Sequence, residues 1–178
     1  MGGLGSDGTV AFATGDEGKP IAPGKSKSGL TLISPAPPTI REIQVRPTWA
    51  YVPAEGDDEL DPDDMDALQR IRDSITYHGF TLGPSNTATE GEQYWTRFDK
   101  DWQHALDLGW VPNSTLAKHL TAQLKTARSA FASGNAIAAR SALHSLRDMV
   151  GRAGREQIRA EARALIVYNV PGLLKTID

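Results

Sequence analysis

Eight carboxylates fall within the twelve residues from Glu55 to Asp66, EGDDELDPDDMD. Acidic side chains alternating at Asp57, Glu59, Asp61 and Asp63 are the hard oxygen donors that could hold calcium. An EF-hand loop, however, needs glycine at its sixth position and glutamate at its twelfth. Counted from Asp57 these positions hold Pro62 and Leu68, so the match fails. A helix start accounts for the run better: Asp61 suits an N-cap, Pro62 the first helical position, and Asp63 and Asp64 face the positive end of the helix dipole. The histidines His78, His104, His119 and His144 never stand three or four apart, and there is no cysteine. A zinc site would need ligands drawn from separate helices and completed by carboxylates, so no metal ligand is assigned. His104 and His119 lie in helical segments beside charged neighbours and are expected to face solvent.

Other catalytic patterns are equally sparse. The sequence contains no GxSxG elbow, P-loop or dinucleotide fingerprint, and the glycines of GGLGSDG lack a strand before them and a helix after them. Paired carboxylates abound only in the acidic run, where solvent would prevent the desolvation that raises a carboxyl pKa. The expectation is therefore a chain that is not an enzyme, with no catalytic residue and no cofactor. One charged constellation remains: Arg147, Arg152, Arg155, Arg159 and Arg163, with Arg140 upstream, form a candidate polyanion surface. Trp95, Phe98 and Trp102 are spaced as a helical core stripe and not as a base- or sugar-stacking platform. Trp49 and Tyr51, which no helical stripe claims, are better candidates for exposed aromatics.

Composition sets the frame for these side chains. With 178 residues, 39% apolar and 23% charged, the chain can bury one core plus an appendage. The net charge of −3 hides a division: ten Lys/Arg stand against four Asp/Glu from Asn113 onward, and nine against eighteen before it. Such halves can attract one another within the fold, or the basic half can meet an acidic partner. No apolar run approaches the roughly 18 residues of a membrane span, and MGGLGSDGTVAFATG lacks a basic region followed by an apolar core.

The elements change character near residue 60. Residues 1–54 read as β or extended, with strands expected at Thr9–Ala13, Gly29–Ser34 and Thr39–Arg46 between Gly/Pro clusters. In the last of these, Ile40, Ile43 and Val45 keep no single period, which a bulge or burial by another segment would explain. Pro35, Pro37 and Pro38 confine their segment to a loop or an edge. Three short strands need a further layer, so the natural fold is expected to begin before this chain does. Residues 55–61 form an acidic linker, and residues 62–178 a bundle of about four to five helices, giving a mainly α fold.

Within that bundle, Pro62 to about Tyr77 places Met65, Leu68, Ile71 and Ile75 on one stripe and ends at His78-Gly79. Thr89–Leu108 carries Trp95, Phe98, Trp102, Ala105 and Leu106 at helical spacing. A third helix starts at Asn113 or Ser114 and turns Leu116, Leu120, Leu124, Ala127 and Phe131 inward, as far as Ser133. Gly134-Asn135 then stops one helix and caps the next, which buries Ala139, Leu143, Leu146 and Val150 in an antiparallel hairpin. A fifth helix is expected over Arg155–Asn169, with Ile158, Ala162, Leu165 and Ile166 inward and an interruption at Pro171-Gly172.

Two resemblances follow from these residues. The segment from Ile21 to Ser34 followed by Pro37-Pro38, with its Pro23-Gly24 turn and Gly29 bend, is similar to the closing strands of extracellular β-sandwich regions in secreted bacterial proteins. The run Gly109-Trp110-Val111-x-Asn113, Leu116-Ala117-x-x-Leu120, Leu124-x-x-Ala127-x-x-Ala130, Gly134-Asn135-x-x-Ala138-Ala139-x-x-x-Leu143-x-x-Leu146-x-x-x-Val150 and Glu161-Ala162-x-x-Leu165 resembles the FIMAH-type helical domain. That similarity covers roughly residues 90–170, and Leu146-Arg147 departs from the family's Phe-Ile, losing one apolar anchor. Domains of this type stand near the C-termini of large secreted bacterial and archaeal proteins, and their pattern has no catalytic residues to carry over. The resemblance implies a non-catalytic accessory module, extracellular or at the cell surface, whose partners are other domains of its parent or components of the envelope. A nucleic-acid- or polyanion-binding module using the arginines is the alternative.

Overall fold

The computed structural model describes residues 34–45, 62–85 and 90–177, together with the backbone of 2–4 and 10–12. The fold is mainly α. Strands β1 (Gly2–Leu4) and β2 (Val10–Phe12) pair antiparallel with each other. Strand β3 (Pro38–Val45) pairs antiparallel with β4 (Tyr77–Pro84), and α1 (Pro62–Ser74) stands between them in sequence. Helices α2 (Gly91–Asp107), α3 (Ser114–Ala132), α4 (Ala136–Arg152) and α5 (Ala160–Lys175) follow.

The helical boundaries come from local chemistry. Asn113 and Asn135 each accept a hydrogen bond from the amide three residues on, at 2.8 Å from Leu116 and 3.1 Å from Ala138, satisfying donors that the first turn leaves open. Gly134 (φ +73) ends α3, with Asn135 N donating to Ala130 O and Gly134 N to Phe131 O. This paired closure needs a left-handed residue, and glycine takes that conformation without a Cβ clash. The antiparallel α3–α4 hairpin expected from Gly134-Asn135 is thereby formed. Its inward residues Leu120, Leu124, Ala127, Leu143, Leu146 and Val150 join Trp95, Phe98 and Trp102 of α2 and Leu165, Ile166, Val170 and Leu173 of α5 in one core.

Three expectations need correction. The first helix ends at Ser74 and not near Tyr77, because Tyr77–Pro84 is strand β4, paired without a break from Pro38↔Pro84 to Val45↔Tyr77. That continuous register leaves burial by another segment, and not a bulge, as the reason β3 keeps no single period. Its apolar side chains are shared between two faces, Ile40 and Leu82 packing on the bundle while Val45 and Tyr77 face away. The fifth helix starts at Ala160 and not at Arg155: Arg159 is extended and gives its amide to Trp110 O at 2.8 Å, while Ile158 is buried from the preceding turn. Pro171 does not interrupt α5 either. Leu173 is buried beyond it, Trp95 Nε1 donates to Thr176 Oγ1 at 3.1 Å, and Tyr94 closes on Gly172, where a Cβ would collide with the phenol. Those contacts hold the last turn although the proline has no N–H to give.

The stripe of α1 forms but stays exposed, with Met65 and Ile71, and Ile75 just past the helix end, about half exposed and no buried residue on the helix. The strand expected at Thr9–Ala13 is the three-residue β2. Gly29–Ile33, the acidic residues 55–61 with their Asp61 cap, and Trp49 and Tyr51 lie outside the described residues.

Candidate functional site

A polar constellation buried among the described residues sits where β3 meets the bundle. Ser85 N donates to Pro37 O at 2.9 Å, so the odd-numbered residues of β3 turn their backbone groups toward β4. Pro38 and Ile40 therefore point theirs outward, along a sheet edge that must be satisfied if it is buried. Two helix side chains do this. Asn169 Nδ2 of α5 donates to Pro38 O at 2.9 Å, and Asp101 Oδ1 of α2 accepts from Ile40 N at 3.4 Å and from Thr39 Oγ1 at 2.9 Å. Together they act as a third strand built from side chains.

Asn169 is wholly buried and uses its full hydrogen-bonding capacity. Its second amide proton goes to Leu165 O at 2.8 Å, and its Oδ1 accepts from Tyr94 Oη at 3.0 Å and Arg97 Nη2 at 2.7 Å. The Arg97 guanidinium lies 4.6 Å from the Tyr94 ring centre. Asp101 is 8% exposed; its Oδ2, like Nε and Nη1 of Arg97, is buried without a hydrogen-bond partner. Burial raises the Asp101 carboxyl above its ordinary range, against the opposing influence of the Thr39 and Ile40 hydrogen bonds and the charge of Arg97. Burial likewise raises the Tyr94 phenol. Arg97 also lines an open pocket of about 320 Å³ with Glu92, Gln93, Thr96 and Lys100. The bonds of the cluster run between elements, and they fix the β3–β4 ribbon on α2 and α5. Sequence reasoning missed all four side chains. The available signal was polar residues at Tyr94, Arg97 and Asp101 within the stripe of Trp95, Phe98 and Trp102, and an asparagine between Ile166 and Val170.

A second feature is an open groove of about 530 Å³ between α3, α4 and the turn before α5. Leu116, Met149 and Ala153 are its apolar residues, with His119, Gln123, Ser145, Asp148, Arg152 and Gln157 around them. The residue types of a hydrolytic triad are thus gathered, but Ser145, His119 and Asp148 are all exposed and no hydrogen bond joins them. Nothing orients His119 to take a proton from Ser145, and nothing activates the hydroxyl as a nucleophile.

The five arginines of the candidate polyanion surface run from the last two turns of α4 to the first turn of α5, in unequal environments. Arg147, Arg152, Arg155 and Arg159 are exposed. Arg152 stands 3.9 Å from Asp148, one turn earlier on α4. Arg163 is half-buried and donates from Nη1 to Val150 O and from Nη2 to Ala153 O, both at 2.6 Å, closing the carbonyl end of α4. Its charge is committed to the fold. Of the histidines, His119 and His144 are exposed. His104 departs from the solvent-facing expectation, since it is half-buried with its ring edge-on to Phe80 at 4.7 Å. His78 faces Glu42 across the ribbon at 3.0 Å. Among the described residues no group of three or more His, Asp or Glu side chains is placed to hold a metal ion, and no helix is long and apolar enough to cross a membrane.

Comparison of the chain with protein-family models, with characterised proteins and with solved structures gives no match, so the likeness to the FIMAH-type domain rests on the residues of the α3–α4 hairpin and its flanks alone.

Proposed function

We propose that this chain is a non-catalytic interaction module of a larger secreted or cell-surface bacterial protein, its ribbon completed by a neighbouring domain or an envelope component. The observation that carries this reading is a two-stranded ribbon whose far end stands clear of the bundle. Ile40 and Leu82 pack on the bundle, whereas toward the far end Phe80 is 43% exposed and, on the face away from Ile40, Val45 and Tyr77 are 57% and 63% exposed. Glycines flatten that face: a Cβ at Gly79 would meet the Tyr77 ring at 2.8 Å, and one at Gly83 the Arg41 stem at 2.8 Å. A sheet ordinarily buries its apolar face against a second layer. The rigid polar attachment to α2 and α5 holds this ribbon ready to receive one.

The test is sedimentation of the purified chain with envelope fractions of its source cells and with their secreted proteins. The expected result is retention that Val45→Ser with Tyr77→Ser abolishes while thermal stability is unchanged, both side chains being solvent-exposed. No retention in any fraction refutes the reading. The polyanion alternative is tested in parallel. Micromolar binding to nucleic acid near 0.15 M salt, falling log-linearly with salt and lost on Arg→Gln changes at Arg147, Arg152, Arg155 and Arg159 but not at Arg41, would replace it.

A further inference from the structure

We draw no further inference here: the strongest candidate, the outer edge of β4, where the main-chain groups of His78, Phe80 and Leu82 point away from β3, carries none, because nothing in the structure shows what covers it.

Discussion

Replacing Asn169 by alanine removes the side chain on which ribbon and bundle meet, and the size of the effect follows from its partners. Arg97 Nη2, 2.7 Å from Oδ1, loses a hydrogen bond to a charged donor, worth about 1.5–3 kcal/mol. Pro38 O loses its donor at 2.9 Å on a covered sheet edge, worth about 1 kcal/mol or more. Tyr94 loses the 3.0 Å bond to Oδ1 but keeps the backbone carbonyl of residue 169 at 3.3 Å, so its loss is partial. Leu165 O loses only a bond supplementary to its place in α5. The total is about 3–5 kcal/mol, a large part of the roughly 5–15 kcal/mol that stabilises an ordinary domain. Urea unfolding followed by circular dichroism measures it, and hydrogen exchange at the Ile40 amide should accelerate as the ribbon loosens. Asn169→Leu, which keeps the volume and loses the bonds, should be as damaging as alanine. A loss under about 1 kcal/mol for alanine, or full rescue by leucine, would refute the argument that hydrogen bonds and not packing hold the ribbon.

Burial raises the Asp101 carboxyl, so the folded chain holds that proton to higher pH than the unfolded chain does. Stability should therefore decline as pH rises from the ordinary carboxyl range through the folded value, and Asp101→Asn should flatten the decline; a steeper slope in the variant would contradict the assignment. Asp99, also raised by burial, leaves a residual slope of the same sign. Leu124→Ala and Leu143→Ala should each cost about 2–5 kcal/mol, because both side chains lie in the common core; losses under about 0.5 kcal/mol would misplace the hairpin. Arg163→Met should destabilise by about 1–3 kcal/mol through the freed carbonyls of Val150 and Ala153, whereas Arg147→Met should be close to neutral; equal effects in denaturant titrations would deny Arg163 its capping role.

How much of this was legible in the sequence depended on the range of the interactions. Asn113, Asn135 and Gly134 act on amides and carbonyls within five residues, so the α3–α4 hairpin could be read from its own letters. Strand β4 could not, since its pairing partner lies more than thirty residues away and its apolar side chains divide between two faces. Pro171 misled for a related reason. The local rule favours a break there, but the contacts that keep α5 intact come from Tyr94 and Trp95 on another helix. The ribbon attachment is the extreme case, linking Asn169 to Pro38 across 131 positions. In the sequence its members are ordinary polar letters among apolar ones. Their meaning appears only when β3 presents an open edge to the bundle, because a buried edge leaves an N–H and a carbonyl that some side chain must meet. The converse holds at the far end of the ribbon: Tyr77 and Val45 stand exposed there, so an apolar letter in a strand need not mark a side chain that packs.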